Sequence, residues 1–424
     1  MSILQINIYF HIIVYIMRKT RKQNKNKTKK HNKNKKRKLR KTIRKKKIDL
    51  AEISCGRIKK SINQKTVTIG IMTAPWLTNV KDSLITSYMA SSYVKWLESS
   101  GALIVPIEFD LPKPKMLGFL RQLNGIVLIG GGVDNVKTHN LNQFLSYQDS
   151  LYYVLNYAIY QNKANNYFPV WCTCMSFEMA AIFFAENIRL KNQEELKKYL
   201  ISAGDIGEDN LYWTNKKSKI KRVFTKKERY AQNKYPSIFM AHCYAIAVNS
   251  KLGKNLAKVA NITATNISSG ICGKKGIKYV SAYELKDYPI YGVQFHPEKP
   301  PFEYINDNKK VPKTTIAMNT SYKMSKFFID EAKKSSNIWI GGKNYFDFTI
   351  NDYNIYNKNI TKRLKHLKKE TINSSARRVG DAGVYLFGPA LVPLEGDILN
   401  NPWKNVMENK NQTETKKENE VDNP

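Results

Sequence analysis

From about Lys65 onward, short apolar runs alternate with stretches whose apolar positions repeat at helical spacing. Val67–Met72 reads as a buried strand closed off by Thr73 and Pro75. Thr86 is then placed as a helix N-cap, because Met89, Tyr93, Trp96 and Leu97 fall on one helical face and Gly101 suits the C-terminal cap. Leu103–Ile107 is a second strand, and a short helix over Met116–Leu123 leads to a third, Gly125–Ile129, which ends in Gly130-Gly131-Gly132. A long helical pattern runs from Gln143 to Gln161. The apolar strand Phe168–Trp171 follows, and Met175, Met179, Ile182 and Phe183 mark a helix directly after it.

Nearly continuous apolar strands alternating with helices predict an α/β fold, a three-layer α/β/α sandwich whose central sheet is mostly parallel and covered on both faces. Residues 190–234 are charged and irregular, so they read as a lobe with surface excursions. Strand patterns return at Ala245–Val248 and Pro289–Phe295, and a helix spans Thr315–Ala332. The pattern fades after Lys343, and no internal repeat is visible. These shifts divide the chain into an apolar segment 1–17, a basic tail 18–62, a folded domain 63–342 and a C-terminal extension 343–424 expected to be partly disordered.

The formal charge of +37 would suggest a nucleic-acid partner if it were spread over the fold. It is not: residues 18–47 hold 19 Lys/Arg and no acid, about half of the excess. Such a run cannot bury enough apolar surface to offset its ordering entropy, and it would attract anionic lipid or nucleic acid without specificity. The preceding apolar run, Ile3–Met17, is shorter than the ~20 residues a membrane-spanning helix needs. Its positive charge follows it rather than preceding it, unlike a signal peptide. It reads as a membrane anchor, or as a segment absent from a chain started at Met17. Five cysteines (Cys55, Cys172, Cys174, Cys243 and Cys272) form neither an even disulfide framework nor a C-x-x-C zinc knuckle, so no metal is expected.

The chemistry concentrates at Trp171-Cys172-Thr173-Cys174-Met175-Ser176, where a buried strand turns into a helix with almost no linker. Cys174 on that turn has the placement of a nucleophile elbow, with its side chain at the carboxyl edge of the sheet and the helix N-terminus behind it. The bland alternative is one more buried thiol. A thiolate nucleophile needs a base, usually a histidine oriented by a carboxylate. Of six histidines, His11 and His31 lie in the tail and His366 in a basic C-terminal stretch, which leaves His139, His242 and His296. His296 follows the apolar strand ending at Phe295, and Glu298 lies two residues on, able to turn back to the imidazole. The three glycines suit close backbone approach to a substrate oxygen. A phosphate loop is discounted because no Lys-Ser/Thr follows.

Several segments in order resemble the gamma-glutamyl hydrolase family of the class I glutamine amidotransferase-like group. They are Tyr88 to Ala102 (YMASSYVKWLESSGA), Asn124 to Gly131 (NGIVLIGG), Phe168 to Cys174 (FPVWCTC) and Tyr291 to Lys299 (YGVQFHPEK). The resemblance covers roughly Lys65 to Lys334 and implies a flavodoxin-like sheet and an omega peptidase cleaving folylpoly-gamma-glutamates without cofactor or metal. It implies Cys174 as nucleophile, His296 as base, Glu298 as its orienting carboxylate, the amides of Gly131 and Met175 as oxyanion hole, and His242 beside the substrate. It also implies a lysosomal, vacuolar or extracellular setting and is compatible with a homodimer. Two positions depart from the family motif, which has glycine where this chain has Cys172 and Ser176; a side chain at 176 can crowd the elbow, or, as a small serine at a helix start, bond a free amide instead. A glutaminase-type amidotransferase domain and a catalytically weakened binding or anchored protein are the alternatives.

Overall fold

The computed structural model describes residues 66–76, 85–133, 135, 139–306, 309–341, 348–353, 355–356 and 383–387. The apolar segment, the basic tail, Cys55, His11, His31, His366 and most of the C-terminal extension lie outside the described residues.

Eight strands form the central sheet: β1 (Val67–Met72), β2 (Ala102–Ile107), β3 (Gly125–Leu128), β4 (Val170–Thr173), β5 (Tyr212–Trp213), β6 (Ala260–Ile267), β7 (Lys278–Leu285) and β8 (Ile290–Val293). Their order is β2-β1-β3-β4-β8-β7-β6-β5. The first five in that order pair in parallel, and β7, β6 and β5 add antiparallel strands at one side.

Strand residues alternate between two cores, as a pleated sheet covered on both faces demands. Ile126, Leu128, Val170 and Cys172 point into one core, with helices α2 (Lys113–Leu120), α3 (Leu141–Lys163), α4 (Met175–Glu186) and α5 (Lys251–Val259). Val127, Ile129, Trp171 and Val293 point into the other, with α1 (Ser91–Glu98) and α6 (Thr315–Ala332). Trp96 of α1 lies 5.5 Å from Trp171 between ring centroids, and its indole N–H donates to the Ser321 carbonyl on α6 at 2.9 Å. The α/β/α sandwich with a mostly parallel sheet is therefore present.

Three details differ from the sequence reading. Thr86 caps no helix: Ser87–Ala90 is a strand, and α1 starts at Ser91 with no side-chain cap. Met89 was placed on a helical face because four buried positions happened to fit that period, but its neighbours pair with Ala74–Pro75 and with Val384–Phe387. The latter strand comes from the stretch where the hydrophobic pattern fades. Finally, the charged lobe contains Ile201–Gly204 and Ile206–Asp209, which pair with Tyr244–Ala245 and Ile238–Ala241. Among the described residues no helix is long and apolar enough to cross a membrane.

Candidate active site

Strand register brings the sequence motifs together. Leu128 of β3 pairs with Cys172 of β4, and Thr173 pairs with Val293 of β8. Parallel strands in this register end side by side, so the residues just past them, Gly130, Cys174 and His296, meet at one carboxyl edge.

Cys174 has φ +55° and ψ −113°, a conformation that costs a non-glycine residue about 1–3 kcal/mol. The turn is held on both sides. The Cys174 N–H donates to the Val293 carbonyl at 2.9 Å, and the Cys174 carbonyl accepts the Glu178 N–H at 3.1 Å as α4 begins. The thiol is 6% exposed, and its Sγ lies 3.6 Å from the Ala241 carbonyl. The N-terminus of the twelve-residue helix α4 directs its dipole at this sulfur.

Ser176 does not crowd the elbow. Its buried hydroxyl accepts the Thr173 N–H at 2.9 Å and donates to the Leu128 carbonyl at 2.6 Å, with the Thr173 carbonyl 3.0 Å away. It therefore ties the end of β3 to the turn that carries Cys174. Cys172 points away from the site into the core shared with Phe177 and Tyr283, and burial pushes its thiol well above the ordinary range.

His296 Nδ1 lies 2.6 Å from Glu298 Oε1, and Glu298 is fully buried. That contact leaves Nε2 as the ring nitrogen available for proton exchange. The two glycines before the third explain themselves by proximity. A Cβ on Gly130 would come within 3.0 Å of His296 Cε1 and 3.1 Å of Cys174 Cβ. One on Gly131 would meet Met175 Cε at 3.0 Å. The backbone, His296 and Cys174 are thus packed as closely as atoms allow.

These groups open into a cavity of about 560 Å³, lined also by Gly131, Met175 and His242. His242 is buried, and its Nδ1 lies 2.7 Å from the Tyr244 carbonyl, so Nδ1 carries the proton and Nε2 is an acceptor. Nε2 makes no hydrogen bond among the described residues. Burial pushes the His242 pKa down to about 4, against smaller opposing effects of the Tyr244 carbonyl and Asp205, so the ring is neutral near pH 7. His139 is different in kind: its Nε2 meets the Pro75 carbonyl at 3.1 Å, and it is absent from the cavity lining.

Two lining residues are not among the site residues expected from the sequence. Glu178 sits one helical turn after Cys174 and accepts a hydrogen bond from Gln294 at 2.9 Å; an acid in the first turn of an otherwise apolar helix was the available clue. Tyr93, on α1, reaches the site from across the sheet, which no local pattern announces. Among the lysines at the cavity, Lys299 is committed to Glu303, at 2.9 and 3.1 Å, whereas Lys197 stands at the exposed rim beside Glu194. Among the described residues no group of three or more His, Cys, Asp or Glu side chains could hold a metal ion.

Residues 68–298 match the family model described as Peptidase C26. Gamma-glutamyl hydrolase B of Dictyostelium discoideum is 29% identical over 303 residues, covering 71% of this chain and 82% of that protein. Gamma-glutamyl hydrolase of Rattus norvegicus is 32% identical over 254 residues, 58% of this chain and 72% of its own length. That of Homo sapiens is 28% identical over 273 residues, with coverages of 64% and 79%.

Proposed function

This chain belongs to the Peptidase C26 family, and from that premise we propose that it hydrolyses gamma-glutamyl amide bonds with Cys174 as nucleophile. The observation that carries the reading is the meeting, at one sheet edge, of a cysteine held at φ +55° with a histidine bound to a buried carboxylate.

In this mechanism His296 Nε2 takes the Cys174 thiol proton, and the resulting thiolate attacks the gamma-carbonyl carbon. The amides of Gly131 and Met175, both lining the cavity, receive the developing oxyanion. His296 passes a proton through Nε2 to the departing amine, and Glu298 holds the ring in the required tautomer. The resulting thioester is hydrolysed by a water that His296 deprotonates, regenerating the thiol. His242 contributes as a neutral acceptor: its Nε2 suits a substrate N–H, such as that of the amide to be cleaved.

The substrate class is folylpoly-gamma-glutamate, whose bonds join a side-chain carboxyl to an amine. The cavity lies within the range of roughly 300–1,000 Å³ usual for small-molecule sites. The same reading places the protein in a lysosome or vacuole, or outside the cell. The test is to incubate the purified chain with folate pentaglutamate and, separately, with free glutamine. Glutamate released from the first and absent with Cys174→Ala is the expected result. Release from glutamine alone would replace the reading with a glutaminase, and release from neither would remove both.

A further inference from the structure

Tyr93 is buried at the active site, and the mechanism above leaves it without a task. Its hydroxyl accepts the Gly130 N–H at 3.1 Å and lies 3.3 Å from His296 Nδ1. Nδ1 gives its proton to Glu298, and the phenol oxygen accepts the Gly130 N–H while lying against the His296 ring. Burial, and next the Glu298 charge, hold the phenol far above its ordinary pKa, so it remains neutral. One oxygen thus touches two parts that sequence places far apart: the His296–Glu298 pair after β8 and the glycine turn after β3. The turn continues directly into Gly131, which lines the cavity.

We propose that Tyr93 is a positioning residue that registers the oxyanion-binding glycine turn against the His296–Glu298 pair. The proposal rests on the cysteine-hydrolase reading and goes beyond it in assigning a fourth side chain to the unit. α1 supplies the rigid mount. Trp96, one turn later, is anchored to Ser321, and Ser92 donates to buried Glu303 at 2.7 Å, so the helix cannot follow a displaced turn. Around His296 the ionisable groups are Glu298 and Tyr93 on the Nδ1 side, with Cys174, His242, Glu178 and Lys299 lining the same cavity. Tyr93 touches both the glycine turn, through the Gly130 N–H, and the histidine of the pair, at Nδ1.

Two reactions of Cys174 separate this role from a general structural one. Acylation by p-nitrophenyl acetate passes through a tetrahedral oxyanion, whereas alkylation by iodoacetamide does not. Both rates are measured on the full chain and its Tyr93→Phe and Ser92→Ala variants, with Cys174→Ala supplying the background from other thiols. Tyr93→Phe is expected to slow acylation about 10–100-fold, the effect of misaligned oxyanion donors, and to leave alkylation within about threefold. Ser92→Ala, which breaks a different α1 contact, is expected to leave the ratio of the two rates unchanged. Unchanged acylation in Tyr93→Phe overturns the proposal, as does an equal slowing of both reactions or a Ser92→Ala variant with the same changed ratio. Neither reagent requires gamma-glutamyl recognition, so failure on folate pentaglutamate would count against the proposed substrate and not against Tyr93.

Discussion

At the residue scale, Ser176 braces the elbow by bonding a free amide rather than crowding it. Its hydroxyl pairs the Thr173 N–H and the Leu128 carbonyl, both in the interior of the sheet. Restoring the family glycine with Ser176→Gly would therefore unpair two buried groups, at about 1–3 kcal/mol. A lowered urea midpoint relative to the parent chain is the expected outcome, and an equal or higher one would remove this role. His242 makes a second prediction. Its pKa is about 4 in the fold against 6.5 for an exposed histidine. Between those values the unfolded chain takes up a proton that the native state refuses, so stability falls as pH drops through this window, by up to about 3 kcal/mol. His242→Gln should flatten that decline in melts compared at pH 7 and pH 4.5. An undiminished decline would show that other groups carry it. The His242 effect was not legible in the sequence because it depends on how deeply the assembled fold buries the ring, and the Leu128 carbonyl that Ser176 meets belongs to another strand.

At the scale of elements, the strands and helices with uniform periodicity were readable. Thr315–Ala332 has the expected bounds, and the helix expected over Gln143–Gln161 runs two residues further at each end. β6 and β7 were not readable because buried polar residues interrupt their hydrophobic alternation. Thr263, Asn266 and Ser281 are buried, and the Ser281 hydroxyl pairs with Asn266 across the two strands at 2.7 Å. Val384–Phe387 was hidden for another reason: a four-residue apolar run between Gly383 and Gly388-Pro389 is too short to carry a period of its own. Yet it pairs Leu386 with Tyr88 and Val384 with Ala90, and Tyr88 and Ala90 line the active-site cavity. Ending the chain after residue 382 would expose the far side of that wall and leave Tyr385, Leu386 and Phe387 without their burial, worth roughly 1.5–3 kcal/mol each. A melting temperature lowered by at least about 4 °C, with reduced hydrolysis, is the expected result. An unchanged melt and unchanged rate would show that the strand is dispensable.

For the whole molecule, the sheet explains why the site could be read at all. Cys174 and His296 each follow an apolar strand, and a mostly parallel sheet ends its strands at a common edge, so two local patterns sufficed to put them in one place. Tyr93 escaped because its place depends on how α1 packs on the sheet, which is a property of the assembled core rather than of any segment. About half of the positive excess lies in residues 18–47, outside the described residues, and the remainder of the chain is still basic. The central claim is covalent catalysis by Cys174, and it is tested most directly by acid-quenching the full chain during turnover of folate pentaglutamate and mapping cysteine adducts by mass spectrometry. The account predicts the acyl half of the substrate on Cys174 and on no other cysteine, with turnover lost by about 10⁴-fold or more in Cys174→Ala. Sustained turnover with Cys174 unmodified, and equal activity in Cys174→Ala, would contradict it.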